Sequence, residues 1–377
     1  MKKRVVLFTP FPPNIGGGAV ILRSLLPKLD GLDVKWLYLS DLDMDLDDGS
    51  IRIGDGLLGG SLVSDLCRTA LQWTGISNGK INTIVDRILA FEADVYWVVA
   101  HNEGILIANE LRKRTELPIH TTVHDDTPYG FFYRSKRYPF FTGLAQYHFN
   151  KLLKNSSSID VVSDSMRKYY QKKCGVDSVV VHRVLDEIVF TKATSDEKKL
   201  TVGHIGNIYN LSELIAFCEA VEIYAKAYNK ELSFVLIGMS RKYAFELTSR
   251  FNFIVDIPHL EEKEAVVRLN ECDFVYAMYP FDDRSKVFRE TSQPTKLSTY
   301  ILSRRPIFAH TPKASTLFNA ITKYGIGICS DELRPEALKQ KIELLLTQNV
   351  NEENFNLAQE ELHGYENASR LARCLLK

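Results

Sequence analysis

The sequence predicts an α/β protein with two doubly wound domains, each a parallel sheet covered by helices on both faces. Short runs of valine, isoleucine and leucine alternate with amphipathic stretches, which is typical of strands buried on both faces. This pattern stops in a polar stretch at residues 185–200 and then begins again. The length of 377 residues also exceeds what one ordinary core serves.

The first domain is predicted over residues 1–187 as a Rossmann-like unit. Its strands are predicted, in chain order, at RVVLFTP, DVKWLYLS, ADVYWVVAH, PIHTTVHD, SSIDVVSDS and DSVVVHRV. A helix is predicted to begin near Ala19, directly after the first strand. Ligands of such sheets bind outside the carboxyl ends of the strands, so the residues after each strand are the candidates for function.

The second Rossmann-like domain is predicted over residues 188–360. A long helix is predicted at LSELIAFCEAVEIYAKAYN, and the strands at KLTVGHIGN, LSFVLIGMS, NFIVDIP, DFVYAMYP, RPIFAHTP and GIGICSD. The tail from Pro335 to Lys377 is predicted as helices broken near HGYEN, and residues 361–377 are expected to pack back on the first domain. Two such domains commonly hold a ligand in the cleft between them.

Composition excludes several classes of function. Lysine and arginine number 47, as do aspartate and glutamate, so the basic footprint of a nucleic-acid-binding protein is absent. No apolar run reaches the roughly 18–20 residues of a membrane span, and VVLF is too short for a signal peptide. The six cysteines show no zinc spacing and predict free thiols. A cytoplasmic protein is expected, with the inner face of a membrane left open.

A glycine run follows the first strand and opens a helix. Backbone amides at Gly16, Gly17 and Gly18 combine with the positive end of the helix dipole, which favours an anion. The run does not match G-x-G-x-x-G, so a dinucleotide fingerprint is not predicted. A loop that binds no ligand is the alternative.

Polar residues also follow later strands of the first domain. His124 is followed by Asp125 and Asp126, and a histidine backed by carboxylates can orient a hydroxyl or act as a base. A structural histidine beside capping aspartates is the alternative. His101 follows the preceding strand, and the aromatic and basic stretch that contains Tyr129 could stack on a sugar or touch a lipid surface.

The acidic segment DLDMDLDDGS, residues 41–50, does not predict a metal site. Its glycine is out of place for a calcium loop, and Gly54 occupies the twelfth position where such loops carry glutamate.

The second domain carries a cationic segment at residues 279–312. Arg284, Lys286, Arg289 and Lys296 gather after a predicted strand. Pro294 and Thr295 precede a helix predicted from Lys296 to Ser303. Cations beside a helix N-terminus can clamp a diphosphate, whereas a solvated helix face is the alternative.

These segments together resemble the GT-B glycosyltransferases, specifically the retaining family 4, over nearly the whole chain. The resemblance is carried by FPPNIGGGAVILRSLL, VVSDSMRKYYQKKCGVDSVVVHRVLDEIVF, VGHIGNI and QPTKLSTYILSRRPIFA. It implies two Rossmann-like domains facing across a cleft. It also implies transfer of a sugar, with retention, from a nucleotide-diphosphate donor to a hydroxyl of a glycan, polysaccharide or lipid-linked saccharide.

The resemblance implies roles for individual residues. Lys296, helped by Arg284 or Lys286, would stabilise the leaving diphosphate without a metal, and His124 would contact the sugar or the acceptor. Acceptor contacts are expected at His101, Asp125, Asp126 and Tyr129. Donor contacts are expected at Gly16, Gly17, Gly18, Gly206, Asn207, Gly238, Met239, His259, Leu260, Lys286, Glu290, Thr291, Pro294, Thr295 and Thr299. No cofactor is expected besides the nucleotide-sugar co-substrate, and no nucleic acid; peripheral membrane contact is left open.

The chain departs from the family pattern at several positions. Asn207 follows Gly206 where the family carries arginine, and the usual downstream lysine is missing. The family's two glutamates fall on Thr291 and Thr299, with Glu290 one position off. Two alternatives therefore stay open. One is a sugar-nucleotide epimerase or hydrolase of the same fold, with His124 and a neighbouring aspartate as acid and base. The other is a non-catalytic binding protein.

Overall fold

A computed structural model describes residues 2–42, 46, 48–57, 70, 74, 78–126, 140–186 and 196–377. The chain forms two compact units. Unit 1 comprises Met1–Val184, Glu290–Ser292 and Tyr365–Lys377, and unit 2 comprises Leu185–Arg289 and Gln293–Gly364. The boundary predicted at residues 187 and 188 lies outside the described residues.

Unit 1 is built on a parallel sheet. Its seven strands are β1 (Lys3–Thr9), β2 (Leu32–Leu39), β3 (Ile51–Gly54), β4 (Val95–Val99), β5 (Ile119–Val123), β6 (Ser158–Val161) and β7 (Val179–Val180). They pair in the order β3-β2-β1-β4-β5-β6-β7, and every pair is parallel. All five residues of β4 are buried, because the sheet is covered on both faces.

Among the described residues, five helices flank this sheet before the chain enters unit 2. They are α1 (Gly17–Leu25), α2 (Gly79–Leu89), α3 (Gly104–Arg114), α4 (Phe140–Asn155) and α5 (Asp164–Cys174). In α1 the apolar residues recur at helical spacing, and Ile21, Leu22 and Leu25 are buried in the core. The predicted helix therefore begins two residues before Ala19, at Gly17.

Unit 2 repeats the architecture with six strands. They are β8 (Lys199–Ile205), β9 (Glu231–Ile237), β10 (Ile254–Ile257), β11 (Phe274–Met278), β12 (Ile307–His310) and β13 (Gly327–Ser330). Their order is β10-β9-β8-β11-β12-β13, and every pair is parallel. The core is aromatic: the rings of Phe217 and Tyr276 stack with centroids 4.0 Å apart.

The helices that follow β8 are numbered onward in chain order. They are α6 (Leu211–Ala227), α7 (Arg241–Arg250), α8 (Glu262–Asn270), α9 (Lys286–Thr291), α10 (Lys296–Ser303), α11 (Thr316–Tyr324), α12 (Pro335–Thr347), α13 (Glu352–His363) and α14 (Glu366–Leu376). The break predicted near HGYEN falls between α13 and α14. A second break, at residues 348–351, separates α12 from α13.

The chain returns to unit 1 for its last helix, α14. The points where the chain enters and leaves unit 2 are adjacent, because the amide of Leu185 donates a 3.0 Å hydrogen bond to the carbonyl of His363. Within unit 1, the amide of His182 donates to the side chain of Asn367 at 2.9 Å.

Each predicted strand is present, whereas β3 was not predicted. It is only four residues long, and its sequence, IRIG, is too short to show a long apolar run or a sustained alternating pattern. Among the described residues, no helix is both long and apolar enough to cross a bilayer.

Capping side chains define several helix starts, and one of them offers a test of local stability. Ser315 accepts a 2.9 Å hydrogen bond from the amide of Phe318 at the start of α11. Ser240, at the start of α7, makes no such bond. We expect Ser315→Ala to lower the free energy of unfolding by about 1 kcal/mol. Ser240→Ala is the control and should change it by less than half as much. Equal losses in chemical denaturation would contradict this assignment.

Candidate functional site

The strand order places a topological switch point in each sheet, between β1 and β4 in unit 1 and between β8 and β11 in unit 2. Loops at such points diverge and leave room for a ligand. Aromatic contacts bridge both. Phe11 and His101 meet edge to face at 6.0 Å in unit 1, and Tyr209 and Tyr279 meet at 5.5 Å in unit 2. The candidate residues therefore gather at two places, one in each unit.

In unit 2, the loop after β8 lies against Lys296. Gly206 has a φ of +74°, and a Cβ there would lie 3.0 Å from Lys296 Cε and 3.4 Å from Nζ. Lys296 Nζ donates a hydrogen bond to the backbone carbonyl of Asn207. Glycine is required at 206 both by the backbone conformation and by this close approach.

The charge of Lys296 is poorly compensated. Burial lowers the pKa of Lys296 from 10.5 to about 8. No charged group among the described residues contributes to this shift. The ammonium lies 5.9 Å from the centroid of the Tyr209 ring, a weak cation–π contact. An anion placed at Nζ would offset the cost of burying this charge.

The buried side chain of His204 contacts the backbone of the same loop. Its Nδ1 lies 2.9 Å from the carbonyl oxygen of Tyr276, and its Nε2 lies 3.0 Å from that of Gly206. Burial, together with the charge of Lys296, lowers the pKa of His204 to about 3. The ring is therefore neutral at pH 7, so it can donate to only one of these two carbonyls and adds no second positive charge beside Lys296.

Two further loops adjoin the first. Gly238, with φ +65°, follows β9, and a Cβ there would lie 3.5 Å from His259 Cα and 3.6 Å from His259 Nδ1. The side chain of Asn207 accepts a 2.8 Å hydrogen bond from the amide of Ser240. His259 is exposed, whereas Met239 is buried and Leu260 is partly buried. The structure thus brings together the predicted loops after β8, β9 and β10.

A carboxylate that the sequence did not single out lies on α8. Glu262 Oε1 accepts a 3.2 Å hydrogen bond from Thr299 Oγ1 on α10. Thr299 is one of the two positions where the resemblance implies glutamate. A contact between residues 37 positions apart carries no local sequence signal.

The predicted cationic cluster is divided in the structure. Lys296 contacts the Gly206 loop, whereas Arg284 and Lys286 have exposed side chains. Arg289 is buried, and its Nη1 donates a 2.5 Å hydrogen bond to the carbonyl of Asp282. Arg289 therefore holds its own loop, and phosphate contacts by Arg284 and Lys286 stay predictions.

The residues that precede Lys296 have mainly backbone roles. The carbonyls of Pro294 and Thr295 accept hydrogen bonds from the amides of Leu297 and Ser298, which begin α10. Thr291 is buried in unit 1, and its carbonyl accepts a hydrogen bond from the Ser163 hydroxyl. Glu290 is partly buried. Donor contacts by these four residues stay predictions.

In unit 1, the glycine run approaches His124. A Cβ at Gly18 would lie 2.8 Å from His124 Nδ1 and 3.1 Å from the tip of Phe11. Gly16 has φ +88° and begins α1 without a side-chain cap, and both Gly16 and Gly17 are exposed. First-turn amides have no acceptor inside their own helix, so they can bind a ligand oxygen.

The imidazole of His124 is partly buried, and its surroundings disfavour the charged form. Burial lowers the pKa of His124, and His101 lowers it further, whereas Asp160 and Asp125 oppose the shift. Burial also lowers the pKa of His101, against the pull of Asp125. Within the part of the chain that the structure describes, Nε2 of His124 is shielded from solvent and has no hydrogen-bond partner. This nitrogen is a candidate to receive a ligand hydroxyl.

The other predicted acceptor residues differ in placement. Asp126 is 3% exposed and accepts a 2.8 Å hydrogen bond from the hydroxyl of Tyr170. Because Tyr170 lies on α5, this hydrogen bond ties Asp126 to that helix. Burial raises the pKa of Asp126, and an acceptor contact there stays a prediction. Asp125 is partly buried beside the two histidines. Tyr129 lies outside the described residues.

A buried polar network also adjoins β5. Asp160 lies 2.8 Å from His120 Nε2 and accepts a hydrogen bond from Thr122. The indole of Trp97 donates to Thr122 at 2.7 Å. The consecutive polar residues His120, Thr121 and Thr122 in PIHTTVHD signal this network, because a buried parallel strand is usually continuously apolar.

No group of three or more histidine, cysteine, aspartate or glutamate side chains among the described residues could hold a metal ion. Residues 43–45 and 47 of the acidic segment at 41–50 lie outside the described residues.

No protein-family model matches the chain, and no curated protein matches its sequence. Solved structures match in fold. AviGT4, a glycosyltransferase involved in avilamycin A biosynthesis, superposes with a TM-score of 0.55 at 13% identity, covering 99% of this chain and 97% of that one. A presumed UDP-N-acetylglucosamine 2-epimerase from Listeria monocytogenes gives 0.61 at 12% identity, covering 98% of this chain and 95% of that one.

A third match is a single-residue variant of S. aureus TarM, crystallised with fondaparinux, alpha-GlcNAc-glycerol and UDP. Its TM-score is 0.56 at 12% identity over 79% of this chain, which spans only 59% of the TarM chain. Identities this low show the fold alone. The chain has the GT-B fold that the sequence resemblance implied.

Proposed function

We propose that this protein is a glycosyltransferase that moves a sugar from a nucleoside-diphosphate donor to a hydroxyl of a saccharide or lipid-linked saccharide, with retention at the anomeric carbon. Lys296 carries the proposal. It is an ammonium with a pKa near 8, held against a glycine loop at the switch point of unit 2 and matched by no carboxylate among the described residues. A diphosphate supplies the charge that this site lacks.

In this proposal, unit 2 binds the leaving group. The bond between the anomeric carbon and the diphosphate oxygen breaks while the acceptor oxygen bonds to that carbon. The acceptor proton passes to the departing diphosphate or to a base. Negative charge collects on the phosphate as its bond to the sugar breaks, so Lys296 stabilises the transition state more than the bound donor.

Unit 1 would supply the acceptor contacts. The imidazole of His124 is neutral at pH 7 and keeps a lone pair, so it can accept a hydrogen bond or a proton from a hydroxyl. The backbone amides at Gly16 to Gly18, where α1 begins, would contact an oxygen of the donor diphosphate. If the acceptor is a lipid-linked saccharide, the proposal includes peripheral contact between the protein and a membrane surface.

Epimerisation of a nucleotide sugar is the second candidate. The observation that favours it is the group formed by His101, His124 and Asp125, because epimerisation requires an acid and a base side by side. A protein that only binds nucleotide sugars is the third outcome of the test.

A panel of UDP- and GDP-sugars, incubated with excess chelator, tests the proposed function. We expect slow hydrolysis of one donor without acceptor, faster turnover with a saccharide acceptor, and little effect of the chelator, because Lys296 takes the place of a metal. An epimerised donor would support the second candidate, and tight binding without turnover the third. Activity lost to chelator and restored by magnesium would overturn the metal-independent step.

A further inference from the structure

We propose that Asp160 is a positioning residue for His124, and that its buried negative charge stabilises the proton that His124 takes from the acceptor hydroxyl. The inference rests on the proposed function and adds a residue to the unit 1 site. In this proposal Asp160 does not touch the substrate and acts only through His124.

The strand β5 brings the two residues near each other. His120 and Thr122 belong to β5, and His124 directly follows its last residue. These three side chains point to one face of the strand, because residues two apart in a strand share a face. In the sheet, Thr122 pairs with Asp160 of β6. Asp160 therefore lies beside the middle of this row, about 7 Å along the strand from His124.

The carboxylate of Asp160 is buried and is held at one oxygen. The residue is 3% exposed. Its Oδ1 lies 2.8 Å from His120 Nε2 and accepts a hydrogen bond from the Thr122 hydroxyl. The other oxygen, Oδ2, has no hydrogen-bond partner among the described residues. A protonated carboxyl would carry its hydrogen on Oδ2 and need an acceptor there, so these contacts favour the ionised form.

The contacts of His120 leave this charge in place. Its Nδ1 lies 2.7 Å from the hydroxyl oxygen of Ser158, which is a longer 3.4 Å from the carbonyl oxygen of Cys374. A neutral imidazole satisfies the two shorter contacts, because Nε2–H donates to Asp160 while Nδ1 accepts the hydrogen of Ser158. The network then carries one negative charge in the protein interior, where a charge acts strongly on its neighbours.

The groups around His124 agree with this effect. Burial lowers the pKa of His124, and among the neighbouring charges Asp160 opposes this most strongly, ahead of Asp125. His101 lowers the pKa of His124 further. Asp160 therefore makes His124 a stronger base than its burial alone would allow.

The last helix, α14, approaches Asp160 with Cys374. Burial raises the pKa of Cys374 to about 11, and Asp160 raises it as well, whereas Lys377 and Arg373 oppose the shift. The thiol is therefore neutral at pH 7 and adds no charge to the network.

The proposed step is a proton transfer coupled to sugar transfer. As the acceptor oxygen bonds to the anomeric carbon, its O–H bond breaks and the proton joins a lone pair of the His124 ring. The electron pair of the bond between sugar and diphosphate leaves with the phosphate. An imidazolium forms in a partly buried site, and the charge of Asp160 offsets its cost. The proton then returns to the departing phosphate or to solvent.

A structural role for Asp160 is the competing explanation, because its hydrogen bonds join β5 and β6. In Asp160→Asn an oxygen in the place of Oδ1 keeps both hydrogen bonds, so the charge is removed with little change in shape. Asp160→Ser is a second neutral variant and should behave in the same way. Thr122→Val is the matched control, because it breaks a hydrogen bond to the same oxygen and keeps the charge.

The kinetic test is a double-mutant cycle with His124, measured as single turnover with saturating donor. We expect Asp160→Asn to lower turnover by about threefold to tenfold, because a less basic histidine takes up a proton more slowly. In a His124→Gln background the same change should lower turnover by less than about twofold, since Asp160 acts through the missing ring. Thr122→Val should lower stability and change turnover by less than about twofold.

Histidine NMR between pH 4 and pH 8 gives a second readout that needs no substrate. A negative charge favours the charged form of a neighbouring imidazole. The charged fraction of His124 should therefore be larger in wild-type protein than in Asp160→Asn as the pH falls. Thr122→Val should match wild-type protein, since it keeps the charge of Asp160.

Three outcomes would overturn the inference. Equal charged fractions of His124 in wild-type protein and Asp160→Asn would mean that the charge does not reach the ring. An equal loss of turnover with and without His124 would indicate a structural role, and unchanged turnover in Asp160→Asn would remove the role in the reaction. No turnover of any nucleotide sugar by wild-type protein would instead overturn the proposed function, and the NMR comparison would then decide on its own whether Asp160 acts on His124.

Discussion

Replacing Lys296 by methionine is expected to lower turnover by about a hundredfold or more while weakening donor binding by only about tenfold. Loss of one preorganised charged group costs on this order in rate because its attraction grows as charge collects on the leaving phosphate. In the bound donor the same group makes one charged hydrogen bond. Steady-state kinetics and calorimetric titration with the donor separate the two effects.

The same variant should be more stable than wild-type protein. The pKa of Lys296 is about 8 in the folded chain and about 10.5 when unfolded, so the unfolded chain binds more protons between these values. Wild-type stability therefore rises with pH across this window. Methionine removes that dependence and should add about 1–2 kcal/mol at pH 7. Denaturation at pH 7 and pH 10 checks this result.

An exposed lysine provides the control. Lys313, whose side chain is 74% exposed, pairs with Asp331 at the surface, and Lys313→Met should change neither turnover nor stability appreciably. Wild-type turnover in Lys296→Met would refute the role of Lys296 and move the phosphate site toward Arg284 or Asn207. Equal losses in binding and turnover would mean that Lys296 only holds the donor.

Replacing His124 by glutamine is expected to lower turnover by about a hundredfold to ten-thousandfold, the range for a group that transfers a proton or orients a reacting hydroxyl. Donor binding should change by less than about threefold, since the diphosphate contact that we propose for Lys296 does not involve His124. Single-turnover kinetics with saturating donor measures the loss directly. Unchanged turnover would make His124 a structural histidine.

A second variant tests the same residue without removing it. Alanine at Gly18 would place a methyl group 2.8 Å from His124 Nδ1, so the ring must move. We expect a smaller loss of turnover, about tenfold. Gly79→Ala is the matched control, because Gly79 also lies in the first turn of a helix and a Cβ there would contact nothing within 4 Å. A comparable loss in Gly79→Ala would point to a general effect on folding.

The strands could be predicted from the sequence because parallel strands buried on both faces require continuous apolar runs. The helix at Lys296 could be predicted from Pro294 and the apolar pattern that follows. The glycine loops at Gly16–Gly18, Gly206 and Gly238 could be predicted because each directly follows a predicted strand. The short strand β3 carries too few apolar residues to be recognised.

The contacts that individual side chains make could not be predicted in the same way. Arg289 and Lys296 have similar settings in the sequence, yet Arg289 is buried against a carbonyl of its own loop and Lys296 is held at the switch point. Asp125 and Asp126 are neighbours, but only Asp126 reaches Tyr170. Glu262 meets Thr299 through the packing of α8 on α10, a contact that depends on tertiary structure.

The 3.0 Å hydrogen bond between the amide of Leu185 and the carbonyl of His363 has a consequence for how such a chain can evolve. Apart from Glu290–Ser292, the segment between these two residues is a closed insertion in unit 1, entering and leaving at one point. Insertions with adjacent ends are readily accommodated by a host domain. For the function that we propose, we expect that exchanging the segment between residues 185 and 364 would change donor preference and keep acceptor recognition, provided that Glu290–Ser292, which belong to unit 1, are retained.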